Sequence, residues 1–501
     1  MNFLKAGMHK LPEYMQLRQA VESNALPAVA TGLSGIHKAT IINALVQDTN
    51  KTALLLAADE AEAQRICQDL TSMGLRSFIY PTRDFTFRNV ESASREYEHQ
   101  RIQVLSRILK HDCDVVVACM DAALQYTIPP NELEGRMIEL KKGQTVSLEQ
   151  VVQSLVRCGY VRAEQIDGTG QFAVRGGILD FFTPDAPYPV RIEFWGDEID
   201  TIGLFDMESQ RRTETVDAIM LAPSVEVLVD NPSELADKIE KHASSLRGKT
   251  APKAKEILQM ECDQLRNGRH FHCADKYITM LYDRTATLLD YFSLNDTLVF
   301  VSEFHKGKER IRTTQWQWAE DVKEYLEEGV LCRGLDTYSG DWIYIQSQLE
   351  KRSTVCLEAF VRGTYEVPVR TLLNITARQL SVWGGSIALL EEDLQAMQSS
   401  GLTCIVLGGT EKTASNIATD LKEKGLSVVY MPDMSEIPDK GVIITTGTLS
   451  AGMEFPAAGF GIITHGRHTG KAAAKKRKNK QKQHNKTRKN NIKQRKCIDF
   501  L

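Results

Sequence analysis

The chain has 501 residues, of which 42% are hydrophobic and 25% charged, as in an ordinary globular protein long enough for several domains. No apolar run reaches the roughly 18 residues of a membrane span, and the first residues lack the apolar core of a signal peptide, so we expect a cytoplasmic protein. The net charge of −4 is unevenly distributed, because residues 467–496 hold fourteen Lys or Arg and no acid, which leaves −18 for the remainder.

Residues 1–130 alternate short apolar runs with amphipathic segments. We predict buried strands at 52–59, 76–81 and 114–120, and a helix over 95–111. Strands that alternate with helices form a parallel sheet, and strands apolar at nearly every position are those covered on both faces. This part of the chain is therefore predicted to be a parallel α/β lobe.

From residue 131 the apolar pattern changes. Residues 170–184 and 188–206 alternate with period two between Pro and Gly-Asp turns, which predicts a small antiparallel β module led by a helix over 147–164. A later return to helices, with a strand at 297–303, indicates that this module is inserted into the lobe. The predicted domains are the lobe at 1–130, the inserted module at 131–222, the rest of the lobe at 223–378, a small βαβ domain at 379–465 and a disordered basic tail at 466–501.

A degenerate phosphate-binding loop follows the apolar run AVAT. A functional loop reads G-x-x-x-x-G-K-[ST], so that backbone N–H groups and a lysine hold the phosphates and a hydroxyl holds Mg²⁺. Here histidine replaces the second glycine and alanine replaces the hydroxyl residue, so we expect no ATP hydrolysis and interpret the segment as a helix N-terminus. The loop positions are Gly32, Gly35, His37, Lys38 and Ala39.

An acidic run at 59–62 could be interpreted as a helicase metal-binding box, but it follows the loop on the very next strand. The strand at 114–120 offers only Asp121 for that purpose. We interpret the run instead as the acidic first turn of a helix, where the helix dipole favours negative charge.

No metal or disulfide site is expected. The ten cysteines are scattered without a C-x-x-C pair, as reduced thiols are. The tightest cluster does not match the ligand spacing of zinc sites; it comprises Cys262, His270, His272 and Cys273.

One face of the β module has the composition of a protein-binding surface. In VRIEFW, Arg191 and Trp195 alternate with apolar residues and so share the face opposite to them. Arg175 is likewise opposed to Phe172 and Val174. Because Arg and Trp are enriched at interface hot spots, Arg175, Arg191 and Trp195 form a candidate docking patch. The alternative is a set of ordinary surface cross-strand pairs.

The segments FAVRGGILDFF and RIEFWGDEIDTIGLFDMESQR closely resemble the homologous module of the excision-repair protein UvrB and of transcription-repair coupling factors (Mfd). The resemblance extends to PTRDFTFRNVESASREYEHQRIQVLSRIL and TLLDYFSLNDTLVFVSE, and covers nearly all of residues 1–465. UvrB has an intact phosphate loop and a long DNA-clamping hairpin, both absent here. The resemblance is therefore to the amino-terminal, UvrB-like region of coupling factors.

That resemblance implies a degenerate RecA/helicase-like lobe whose inserted module binds the damage-recognition ATPase UvrA. The matching positions are Arg175 in VRGG, Arg191 in VRIEFW, and Trp195, where some relatives carry phenylalanine. We therefore expect the chain to recruit UvrA in transcription-coupled nucleotide excision repair.

Full-length family members also bind RNA polymerase and double-stranded DNA, and displace stalled polymerase with an ATP- and Mg²⁺-dependent motor. We expect this chain to be truncated before those domains and to need no cofactor. The alternatives are a residual ATPase or helicase-like enzyme that uses Lys38, and a nucleic-acid-binding module that uses the tail.

Overall fold

The computed structural model describes residues 1–88, 94–268 and 271–465. The predictions for the basic tail and for His270 therefore lie outside the described residues. The described residues divide into two compact units, the first mainly Met1–Arg378 and the second mainly Gln379–Met434, Pro438–Glu454 and residues 459–465.

The first part of unit 1 alternates helices and strands as predicted. Asp59 caps the helix that follows the second strand, since its side chain accepts a hydrogen bond from the Glu62 N–H at 2.8 Å, and Gly74 ends that helix in a left-handed conformation. The elements are α1 (Phe3–His9), α2 (Pro12–Glu22), β1 (Ala28–Thr31), α3 (Gly35–Thr49), β2 (Thr52–Ala57), α4 (Glu60–Met73), β3 (Ser77–Tyr80), α5 (Glu96–Leu109), β4 (Val115–Cys119), α6 (Met120–Leu124) and α7 (Pro130–Arg136).

The inserted module contains a six-stranded sheet in the order β11-β10-β9-β8-β7-β6 and a two-stranded pair, β5 with β12. The helix predicted over 147–164 is wrong in its second half, because it ends at Arg157 and Gly159 then takes a left-handed φ of +81°. The elements are β5 (Ile138–Lys141), α8 (Leu148–Arg157), β6 (Val161–Arg162), β7 (Gln171–Arg175), β8 (Ile178–Phe181), β9 (Val190–Trp195), β10 (Glu198–Phe205), β11 (Arg212–Val216) and β12 (Ala218–Leu221).

After the module the chain returns to the lobe and completes a seven-stranded parallel sheet in the order β15-β1-β14-β13-β2-β4-β3. The predicted parallel sheet with an inserted antiparallel module is thereby confirmed, although β6 pairs in parallel with β7 inside the module. Two short strands in this part, β14 and β15, were not predicted. The elements are α9 (Pro232–Ser245), α10 (Ala251–Arg266), α11 (Ile278–Leu281), β13 (Thr297–Ser302), α12 (Phe304–Glu328), α13 (Trp342–Glu350), β14 (Ser353–Leu357) and β15 (Thr371–Asn374).

Unit 2 is built around a six-stranded sheet in the order β16-β20-β21-β17-β19-β18. The βαβ arrangement predicted for residues 379–465 is present, and β17 pairs in parallel with both β19 and β21. The elements are β16 (Arg378–Leu380), α14 (Ile387–Ser399), β17 (Thr403–Leu407), α15 (Glu411–Glu423), β18 (Val428–Tyr430), β19 (Val442–Thr445), β20 (Gly452–Phe455) and β21 (Phe460–Thr464). No helix in the described ranges combines the length and the apolar character that crossing a bilayer requires.

Candidate functional site

The outer face of the module is the side of its sheet that carries Arg175, Arg191 and Trp195. Strand register places Arg175 opposite Ile178, which is opposite Glu193, so these three side chains form one row across β7, β8 and β9. The alternate residues point to the other side and form the core of the module. That core includes Phe172, Leu179, Val190, Ile192 and Ile202. The three predicted residues therefore lie on a common surface.

Arg191 is less exposed than its position in the strand suggested. Its Nε and Nη2 atoms donate to the two carboxylate oxygens of Asp180 at 2.7 and 2.9 Å, and its guanidinium lies 4.5 Å from the centre of the Phe205 ring. The hydrogen bond to Asp180 raises the pKa of Arg191. The side chain retains only 20% exposure. We expected an arginine presented freely to solvent; the structure shows one already paired within its own sheet.

Trp195 is the most prominent apolar group on the outer face. It ends β9, next to the turn at Gly196 (φ +62°), and its residue exposure is 84%. Arg175 is also exposed, and its Nη2 atom donates to the carbonyl oxygen of Glu164 at 3.2 Å. Ile178, opposite Arg175, is 37% exposed. The accessible part of the face thus includes an indole, an isoleucine and one guanidinium, together with the ion pair between Glu193 and Arg212.

The degenerate loop adopts a tight turn that requires its first glycine. Gly32 has φ +84°, and an added Cβ would collide with the backbone carbonyl oxygen of Ile375. Helix α3 then begins at Gly35 with Ser34 as its N-cap. The Ser34 N–H donates to Nδ1 of His37 at 3.2 Å, and burial lowers the pKa of His37 to about 4. His37 is therefore a neutral, buried part of the helix cap.

Lys38, the residue that would contact phosphate, is bound by the chain's own carboxylates. Its Nζ atom donates to Glu303 at 2.7 Å and to Glu62 at 3.3 Å, and also to the Ser302 hydroxyl at 2.9 Å. The residue is 2% exposed. Next to it, Ala39 is fully buried and supplies no hydroxyl. These contacts favour a structural role for Lys38, since an incoming phosphate would have to displace two carboxylates.

The loop lysine is bound by an acid from a strand end that was not considered from the sequence. Asp121, after β4, pairs with Arg310 at 2.9 Å, whereas the acid that reaches Lys38 lies at the end of β13. That strand ends in Ser302, followed by Glu303. The sequence reasoning missed Glu303, although a fully apolar strand followed at once by an acid was a usable signal. Asp59 caps α4, and Glu60 and Glu62 lie in its first turn, the acidic helix start that was interpreted from the sequence.

Cysteine and metal chemistry have little support in the described ranges. Nine cysteines there are free and buried, and burial raises the pKa of Cys262 to about 11. Across the same ranges, no three His, Cys, Asp or Glu side chains are grouped so as to hold a metal ion. The described cysteines therefore behave as packing residues.

Comparison with known proteins first defines the class of the inserted module. A family model described as the UvrB interaction domain matches residues 138–226, which begin at β5 and end just beyond β12. The β module is therefore similar to domains of that kind.

Longer relatives extend the similarity to most of the chain. Over 465 residues the chain is 28% identical to the transcription-repair-coupling factor of Bacillus subtilis, an alignment that covers 90% of this chain and 39% of that protein. It is 24% identical over 473 residues to the transcription-repair-coupling factor of Staphylococcus epidermidis, an alignment that covers 92% of this chain and 39% of that protein. The chain thus spans about two fifths of the length of these relatives, and the resemblance to coupling factors is confirmed.

Proposed function

We propose that this chain acts in transcription-coupled nucleotide excision repair by recruiting UvrA through the outer face of its β module. Trp195 carries the proposal, because a largely exposed indole on a rigid strand is the kind of anchor that dominates protein interfaces. Arg175 beside it adds an accessible guanidinium. The matched domain family and the coupling-factor relatives support the same role.

The proposal is tested with the purified chain and purified UvrA by titration calorimetry. Replacing both Arg191 and Trp195 by alanine is expected to abolish binding, as is replacing Arg175 and Trp195. Trp195→Ala alone should weaken binding by roughly 30-fold or more, the usual cost of removing a hot-spot tryptophan. The second double variant is needed because Arg191→Ala also leaves Asp180 without its partner, whereas Arg175 forms no ion pair with any described residue.

Trp316→Ala is the matched control. Trp316 is also an exposed tryptophan, at 66%, but it lies on α12, outside the β module. Its removal should leave UvrA affinity unchanged. Equal affinity of the Trp195 variants and the unmodified chain would refute the proposed face.

Residual ATP hydrolysis is the enzyme alternative, and the carboxylates around Lys38 oppose it. Turnover of radiolabelled ATP above background would be needed to support the enzyme alternative. That turnover would also have to disappear in Lys38→Ala at a temperature where circular dichroism shows the variant to be folded.

Nucleic-acid binding through residues 467–496 is the other alternative. Fourteen cations attract phosphate without regard to sequence, and such binding weakens steeply as salt rises. Deleting residues 467–501 is expected to remove duplex-DNA binding at low salt. UvrA binding should persist in that deletion if the outer face is the docking surface.

A further inference from the structure

A cleft in unit 1 is lined by residues outside the β module and has the size of a ligand site. It has a volume of about 610 Å³ and lies between the segment 82–87 and helix α12. Pockets of roughly 300–1,000 Å³ are typical of ligand sites. None of the residues that line it belongs to the matched domain at 138–226. We call it the aromatic cleft after its rings, which are Phe85, Phe87, Trp318, Tyr325 and Tyr338.

The rings of the aromatic cleft form one connected cluster around Phe87. Its ring centre lies 4.7 Å from that of Tyr338, 5.5 Å from that of Tyr325 and 5.6 Å from that of Trp318. Phe87 and Tyr338 are buried, whereas Trp318 and Tyr325 keep part of their surface accessible. The cleft therefore has an aromatic wall in which two rings, those of Trp318 and Tyr325, remain partly accessible.

The same cluster already holds two guanidinium groups of its own chain. The Arg83 guanidinium lies 4.5 Å from the centre of the Phe85 ring, and that of Arg88 lies 5.7 Å from the centre of the Tyr325 ring. A cation over an aromatic face is attracted by the negative charge density of that face. Two arginine side chains of this protein therefore already stack on rings of the aromatic cleft.

The charge of the lining also favours a cation. Arg83 is neutralised from behind, with Asp275 at 3.0 Å and Glu226 at 3.4 Å. Asp84 is exposed, and no described residue forms a hydrogen bond or ion pair with it. Asp321 accepts only the neutral amide of Gln317, at 3.2 Å. The lining therefore presents two carboxylates that no described cation balances.

We propose that the aromatic cleft binds an arginine side chain presented by a partner peptide. A planar guanidinium stacks on aromatic rings and donates paired hydrogen bonds to a carboxylate, whereas a lysine ammonium offers only a point charge. Trp318 supplies the stacking surface, and Asp321 and Asp84 supply the acceptors. The remaining volume accommodates the residues on either side of the arginine.

The proposal is tested on the full chain with two probe peptides, acetyl-Leu-Arg-Leu-amide and its citrulline counterpart. Citrulline keeps the planar shape of arginine but has no charge. Calorimetry should show binding of the arginine peptide and affinity about tenfold lower for the citrulline peptide, the effect of losing one charge-assisted interaction. Asp321→Asn should lower the affinity for the arginine peptide by a similar factor and leave the affinity for the citrulline peptide unchanged.

Glu320→Gln is the matched control, because Glu320 is exposed on α12 next to Asp321 but does not line the cleft. Asp84→Asn is the second variant, and its thermal unfolding should match that of the unmodified chain because no described residue forms a hydrogen bond or ion pair with Asp84. Equal affinity for the two peptides, binding of neither at millimolar concentration, or tighter binding of adenosine would each overturn the proposal. Tighter binding of adenosine would indicate that the aromatic cleft stacks a nucleobase instead of a guanidinium.

Discussion

Replacing Lys38 by alanine removes the cation shared by two buried carboxylates, those of Glu62 and Glu303. Breaking a buried pair by removing one partner costs about 3–5 kcal/mol, because the remaining charges have no compensation. For the 378 residues of Met1–Arg378, an unfolding entropy of about 2.1 cal/mol/K per residue gives roughly 0.8 kcal/mol/K. The variant should therefore melt about 5 °C below the unmodified chain at pH 7.

The pH dependence of that difference follows from Glu303. Burial alone would raise its pKa, but the hydrogen bond and charge of Lys38 outweigh burial and hold the pKa below its ordinary value. A carboxyl group with a lowered pKa stabilises the fold above its unfolded pKa, about 4.3, and this contribution is lost as pH falls through the folded pKa. The gap in melting temperature between the two proteins should therefore shrink as the pH falls below 4.

Scanning calorimetry between pH 3.5 and 7 measures both effects. Lys238→Ala is the control, because Lys238 is exposed and pairs with Glu234 on the surface of one helix; its loss should cost about 0.5 kcal/mol or less. Lys38→Met combined with Glu62→Gln and Glu303→Gln should recover most of the lost stability. Unchanged melting of Lys38→Ala together with lost ATP binding would refute the reasoning and make Lys38 a nucleotide ligand.

Three further outcomes are expected. Gly32→Ala should lower the melting temperature by several degrees, since its Cβ would collide with the Ile375 carbonyl oxygen, whereas Gly35→Ala, with open space around its Cβ, should not. The imidazole of His37 should show no titration between pH 5 and 8 in NMR spectra assigned with His37→Gln, because burial lowers its pKa to about 4. Glu226→Gln should destabilise the fold by roughly 3–5 kcal/mol in urea unfolding, since it removes the carboxylate paired with the buried Arg101.

The outer face illustrates what the sequence could predict. Alternation along a strand has a period of two, so VRIEFW alone places Arg191 and Trp195 on one side. The Asp180 carboxylate could not be assigned to Arg191 in the same way. Its position depends on the register between β8 and β9, which the intervening chain sets. The exposure of Trp195 was predicted correctly, and the pairing of Arg191 was missed.

The degenerate loop and the lobe show that contacts between residues distant in the sequence are hard to predict. The substitutions in the phosphate-loop motif are local, so the sequence alone shows them. The two carboxylates bound to Lys38 lie 24 and 265 positions away and could not be assigned in that way. The strands at 353–357 and 371–374 were missed for a different reason. Apolar runs of four or five residues do not distinguish a strand from a buried helix by periodicity, and their parallel partners are distant in the chain.

The two ends of the β module meet. β5 and β12 pair antiparallel with Ile138 opposite Leu221, and opposed residues in such a pair have Cα atoms about 4.5–5.5 Å apart. The module also has its own core, so its interior does not depend on the lobe for packing. A short turn could therefore replace residues 138–221, and another domain with adjacent ends could be grafted there. Glu226 follows the replaced residues, so exchanging the module would leave the buried ion pairs of Glu226 with Arg101 and Arg83 in the lobe.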